Sequence, residues 1–237
     1  MKVAVINFSG NVGKSTVAAN LLAPRMPGAR VFSIESTNVD AMSDGIVVER
    51  FAGKQYHKLL SEMFLENQAV VDVGASNIGD FLKFMQQYEK SHEFFDFYVV
   101  PVVSERKQQA DTVNTISALS EIGIPARKIR LVFNKVDLDD ESSLREVFEP
   151  LFGVHGAYKT FTLKAGAVIY KNDAYELLKH SGMPIAALAT DDTDFRQKAR
   201  DADDADERGR YVSLAMTRML AVSAQKNLDS VFQALFD

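Results

Sequence analysis

Short apolar runs alternate along the chain with longer stretches in which apolar residues recur every three or four positions. Runs of the first kind lie at 3–6, 30–35, 69–76, 94–103 and 129–133. They are rich in Val, Ile and Phe and bounded by turn-forming residues, which predicts strands covered on both faces. Between them, 17–22, 56–64, 78–90, 112–122 and 144–152 carry helical spacing. In the third of these, Ile78, Phe81, Leu82, Met85 and Tyr88 fall on one face. Gly123 and Gly153 are expected to end the two helices before them. Val47, Val48 and Phe51 suggest a short strand in the ambiguous stretch 41–67, and 158–163 alternates like a late one. Strands alternating with helices predict an α/β protein with a doubly wound, mostly parallel sheet flanked by helices.

A length of 237 residues suits one domain, 1–237, with a sizeable core. From about 191 the pattern changes. Residues 191–210 are dense in mixed charge, with Arg196, Lys198, Arg200, Arg208 and Arg210 among the carboxylates. They read as a salt-bridged, solvated helix or as one presenting a basic face to DNA. Leu214, Met219, Leu220, Leu228, Val231, Phe232 and Leu235 then form the stripe of a closing helix packed on the sheet. Asp229 and Asp237 near its end argue against a tail lying on an anionic membrane. No apolar run approaches the ~20 residues that span a bilayer. Cysteine is absent, which excludes disulfides and thiolate metal sites and, with the phosphate site below, suggests the cytoplasm. His155 and His180 fit no metal-ligand spacing. The net charge of −5 excludes a uniformly basic nucleic-acid binder.

The candidate chemistry begins where the first strand ends. Residues 3–16 read strand, loop, helix, and the loop closes with Gly10-Asn11-Val12-Gly13-Lys14-Ser15-Thr16. Backbone N–H groups in such a loop, together with the helix N-terminus behind them, form an anion site. Lys14 adds charge for the outer phosphates, and the Ser15 hydroxyl is a ligand for Mg²⁺. Asp72, at the end of an apolar strand and followed by Val73-Gly74, is the matching carboxylate for the metal and the γ-phosphate. Lys14 and Asp72 are thus the candidate catalytic residues, with Ser15 and Asp72 on the metal. The strand at 129–133 delivers Asn134-Lys135-Val136-Asp137 to its C-terminal end. Two base readings stay open there: guanine read by Asp137, as in N-K-x-D GTPases, or adenine contacted by Asn134.

The loop departs from G-x-x-x-x-G-K-[ST], because Phe8 stands at the first glycine. It resembles the deviant loop K-G-G-x-G-K-[ST] of the ParA/MinD family of P-loop ATPases through Gly10, Gly13, Lys14 and Ser15. Asn11 replaces a glycine, and Ser9 replaces the signature lysine that in the family reaches across a nucleotide-sandwiched dimer. The family's acidic D-x-D segment falls on Glu35 and Thr37, with Asp40 and Asp44 nearby as substitutes. The resemblance extends over about 1–190, where 166–182 is similar to the segment before the family's last helices. It implies ATP or ADP with Mg²⁺, adenine held by Asn134, a nucleotide-dependent homodimer, and slow hydrolysis. It also implies a DNA-binding partner protein and plasmid DNA, in the manner of the StbB-like plasmid stability and conjugative-transfer branch. For the missing lysine, Arg106 and Lys107 are the candidate replacement cations. A nucleotide-gated adaptor with negligible hydrolysis and a metabolic P-loop ligase or kinase are the alternatives.

Overall fold

The structure, a computed structural model, describes residues 1–35, 48–179 and 183–237. Seven strands form one sheet in the order β3-β2-β4-β1-β5-β6-β7. They are β1 (Lys2–Val5), β2 (Arg30–Ile34), β3 (Val48–Phe51), β4 (Ala69–Val73), β5 (Phe97–Val102), β6 (Ile129–Val136) and β7 (Val168–Tyr170). Every pairing is parallel, and helices among the described residues cover both faces.

One face is covered by α2 (Tyr56–Phe64), α3 (Ile78–Gln87), α4 (Arg106–Glu121), α5 (Leu144–Val147) and α6 (Glu149–Tyr158). Ala4, Ile6, Phe32, Val71, Val100 and Phe133 pack there against Leu59, Phe81, Ile116 and Phe148. The other face belongs to the first helix and the last. Helix α1 opens at Lys14–Thr16 and continues as a π-helix over Val17–Leu22. Beside it lies α10, a helix of 32 residues from Ala205 to Phe236, whose Leu228, Val231 and Leu235 join Val3, Val5, Val99 and Val132. Arg25 fastens the two. It donates to the Asn20 and Leu21 carbonyls at the end of the π-helix and pairs with Asp229 at 2.7 Å. A third, smaller cluster joins the first half of α10 to α7 (Ala174–Leu178), α8 (Ile185–Ala189) and α9 (Phe195–Asp201).

Several sequence expectations need correction. The stretch 158–163 is not a strand: α6 runs to Tyr158 and ends on left-handed Lys159, and only Thr162 makes a lone bridge to Arg130. The strand beside β6 is β7, five residues beyond. Gly153 lies inside α6, while the helix expected at 144–152 breaks at Phe148, just before Pro150. Gly123, by contrast, does end its helix, in the left-handed conformation. Met219 is more than half exposed, so the inward stripe of α10 omits it. In the mixed-charge stretch, Asp194 and Asp204 cap α9 and α10 by accepting from the N–H groups of Gln197 and Glu207. Lys198 lies over the Tyr211 ring and Arg208 donates to the Ala202 carbonyl. Among the described residues no helix is long and apolar enough to cross a membrane.

Candidate nucleotide site

Strand order reverses around β1, with β4 on one side and β5 on the other. In open α/β sheets the crevice outside the carboxyl ends of such strands is where ligands bind. The candidate residues converge there. The loop after β1 rises from Ile6, turns through exposed Gly10 and Asn11, and descends through buried Val12 into α1. Two residues take left-handed backbone, Asn11 at φ 61° and Gly13 at φ 85°. Asparagine tolerates this region better than other side chains, which accounts for a loop that does without the family's glycine at 11. Gly13 has no substitute, since a Cβ there would stand 2.1 Å from the Asn134 side-chain nitrogen.

That nitrogen is occupied. Asn134, almost fully buried at the end of β6, donates to the Val12 carbonyl at 2.8 Å. Lys135 Nζ reaches the Asn11 carbonyl at 3.4 Å. Asn134 therefore latches the phosphate loop as well as lining the cavity beside it. Asp137 pairs with Lys171 at 2.5 Å on the exposed side and does not line that cavity.

Lys14 is folded back into its own loop. Its ammonium donates to the Ser9 carbonyl at 2.7 Å and the Asn7 carbonyl at 3.1 Å. Burial pushes its pKa down, and the charge of Asp72 pulls in the opposite direction. Ser15 Oγ donates to Asp72 Oδ2 at 2.6 Å. Burial pushes the Asp72 carboxyl up to about 6, against the Ser15 hydrogen bond and the Lys14 charge, with Glu35 adding repulsion. The other carboxylate oxygen, Oδ1, is buried with no hydrogen-bond partner among the described residues. A hydroxyl and an orphaned buried carboxylate oxygen at the foot of an anion-binding loop are a fitting donor set for a hard divalent cation with its waters. Glu35, at the end of β2, is the nearest further carboxylate identified by its effect on Asp72; Thr37, Asp40 and Asp44 lie outside the described residues.

A cavity of about 570 Å³ opens beside the loop, lined by Asn11, Gly13, Lys14, Ser15, Thr16 and Asn134, and on the far side by residues between Tyr170 and Lys179 with Met183 and Ile185. Its size suits a mononucleotide. Sequence reasoning assigned Gly10, Asn11, Val12, Gly13, Lys14, Ser15, Thr16, Asp72 and Asn134, and the fold brings all of them to this one edge. It missed Asn7, Asn20, Lys171 and Tyr175. Asn20 was legible as the one polar residue in the run Val17–Leu22, and it lines the cavity. Arg106 and Lys107 stand exposed in the first turn of α4 rather than on the strand before it. His155 packs edge-on against Phe161, a packing role; His180 is outside the described residues.

No family model and no curated protein matches the sequence. Solved structures do match by shape. The cell division ATPase MinD of Pyrococcus furiosus superposes with a TM-score of 0.51 at 15% identity, covering 91% of this chain and 97% of that one. MinD in the MinC:MinD cell division complex of Aquifex aeolicus also gives 0.51 at 15%, over 92% and 95%. A McdA–ATP complex from Cyanothece gives 0.50 at 11%, over 92% and 96%. Identities this low speak for architecture, and over nearly the whole of its length this chain has the fold of MinD and McdA.

Proposed function

We propose that the chain binds ATP or ADP with Mg²⁺ and acts as a ParA/MinD-type positioning protein. The observation that carries this is the pairing of the Ser15 hydroxyl with a buried, half-satisfied Asp72 beneath the loop that holds Lys14. Ser15 and Asp72 would hold the Mg²⁺, which neutralises charge between the phosphates. Lys14 would exchange the carbonyls of Asn7 and Ser9 for phosphate oxygens, a stronger charge-assisted partner. The matched structures support the same reading: one is called an ATPase, one carries ATP, and one is caught with a protein partner. Adenine is favoured over guanine because Asp137, the carboxylate that would read guanine, is held in an exposed ion pair with Lys171 and is not among the residues that line the cavity.

Hydrolysis is slow in this proposal. Position 9 carries a buried serine, whose hydroxyl bears no charge, so it supplies no cation to neutralise transition-state charge. Nucleotide then works chiefly as a gate for association, with a second copy of the chain and with a DNA-binding partner on plasmid DNA, in plasmid stability or conjugative transfer. The test is Mg-ATP titration by calorimetry, followed by phosphate release with and without DNA. Binding that needs Mg²⁺, with turnover that DNA or a partner raises, supports the proposal. Failure to bind any nucleotide in millimolar Mg²⁺ overturns it, and rapid turnover coupled to a small-molecule acceptor would favour a ligase or kinase.

A further inference from the structure

The inward face of α4 is polar where it should be apolar. Gln109, Thr112 and Thr115 are all buried, two of them completely, and the buried aliphatic residues of the helix, Ile116 and Leu119, come after them, with Val113 only partly buried against the core. Buried hydroxyls and amides cost stability unless hydrogen-bonded, and here each of the two threonines takes one bond from the loop after β1. Thr112 Oγ1 accepts from Asn7 Nδ2 at 2.7 Å, and Thr115 Oγ1 accepts from the Phe8 N–H at 3.0 Å. Each threonine donates in turn to the carbonyl four residues back, Gln108 and Asp111, which fixes its hydroxyl. Asn7 is itself fully buried. Its amide also donates to the Pro101 carbonyl of β5 at 2.8 Å, and its Oδ1 accepts from the Ser9 N–H at 2.8 Å. The Ser9 carbonyl then accepts Lys14. Gln109 anchors the helix start by donating to the carbonyls of Ser104 and Val147. An unbroken hydrogen-bonded path thus runs from the second turn of α4 through Asn7 and Ser9 to the lysine of the phosphate loop.

We propose that α4 sets the shape of the phosphate loop through Asn7, with Thr112 and Thr115 as positioning residues for nucleotide binding. This rests on the nucleotide reading above. A loop with phenylalanine at 8 and asparagine at 11 lacks the glycines that would let its backbone settle around phosphate unaided. Its first half is instead held from outside, by side chains of a neighbouring helix. The path is also a mechanical link: it leaves the helix at buried Thr112, in the turn after the exposed Arg106 and Lys107, so a partner that shifts the start of α4 shifts the Ser9 carbonyl on which Lys14 rests.

The test uses the full chain and Mg-ATP. Thr112→Val keeps shape and removes the acceptor, Thr112→Ser keeps the hydroxyl, and Leu119→Ala damages the apolar half of the same helix. Affinity is read by calorimetry and apo stability by thermal unfolding. Thr112→Val is expected to weaken Mg-ATP by about tenfold, with Thr112→Ser restoring affinity to within about twofold. Leu119→Ala should lower Tm and leave affinity alone. Should Thr112→Val not fold, Thr115→Val, which orphans the Phe8 N–H, makes the same comparison. If the valine variant loses Tm but binds like wild type, or if Leu119→Ala weakens binding equally, the path has no positioning role. Wild-type protein that binds no nucleotide overturns the functional reading first, and this proposal with it.

Discussion

Substituting Gly13 by alanine tests the geometry of the site at its tightest point. The added methyl would sit 2.1 Å from Asn134 Nδ2 and 3.4 Å from its Cγ, on a residue at φ 85°. Two costs combine. Alanine in left-handed backbone costs roughly 1–2 kcal/mol. Asn134 must also swing away, giving up its bond to the Val12 carbonyl and leaving buried polar groups unpaired, for about 1–3 kcal/mol. A midpoint of about 3.5 kcal/mol, at about 2–4 °C per kcal/mol for a domain of this size, lowers Tm by about 7–14 °C. Thermal unfolding without nucleotide reads this directly, and Mg-ATP titration of the folded variant should show weakened binding. The two costs separate in a double-mutant cycle. Asn134→Ala already forfeits the Val12 bond and makes room for the methyl, so Gly13→Ala added to it should cost only the backbone term. Strictly additive effects would refute the contact between loop and strand, and an unchanged Tm for Gly13→Ala would refute the left-handed turn as well.

Asp72→Asn should stabilise the apo protein at neutral pH while abolishing Mg²⁺-dependent nucleotide binding. The Asp72 carboxyl rises from 3.8 to about 6 on folding, so the folded state holds the proton more tightly. Wild-type stability from this group is therefore full below about pH 4 and falls as pH rises through about 6, by on the order of 2–3 kcal/mol. The gap between variant and wild type should open over that window and stay flat above about pH 7; a gap independent of pH would contradict the burial of the carboxylate. Lys14→Ala should leave the chain folded and remove nucleotide binding in the same titration, although the buried ammonium also ties two loop carbonyls, so a small loss of Tm is expected with it. ATP should beat GTP by more than about tenfold, roughly 1.4 kcal/mol, in competition binding, and the reverse order would make Asp137 the base reader. Turnover at saturating ATP should be slow and unmoved by Arg106→Ala/Lys107→Ala; a rapid rate that this pair of changes abolishes would identify the substitute cation.

The parts of this fold that could be read from sequence are those where one physical demand dominates. Strands buried on both faces carry few charges, so β1, β4, β5 and β6 stand out as largely apolar runs. The loop from Gly10 to Thr16 stands out because anion binding needs Gly13, Lys14 and Ser15 at fixed spacing. Reading failed where burial was met by other means. The first turns of α4, Arg106 to Asp111, have no apolar residue but Ala110, and their inward side is built from Gln109 and the threonines after it. The stretch 158–163 alternates because Phe161 alone is buried, which takes one side chain and not a ladder. The far wall of the cavity, with Tyr170, Lys171 and Tyr175, had no motif, since side chains that line a cavity obey shape and not spacing.

The same contrast explains the loop's departures from the pattern it resembles. Three residues differ, and the fold compensates for two. Phe8, where the common P-loop has glycine, packs partly against the core and hands its N–H to Thr115. Asn11, where the deviant loop has glycine, takes left-handed backbone and yields its carbonyl to Lys135. Both changes concern shape, and shape can be held by neighbours. Ser9 is different. What lysine would supply there is charge, and buried Ser9 offers only an uncharged hydroxyl, its backbone N–H and carbonyl being bonded to Asn7 and Lys14. A hydrogen-bonded scaffold restores a loop conformation but cannot restore a cation. A chain that keeps the geometry of phosphate binding and drops the mobile charge of catalysis retains what a nucleotide-gated binding protein needs and relaxes what rapid turnover requires.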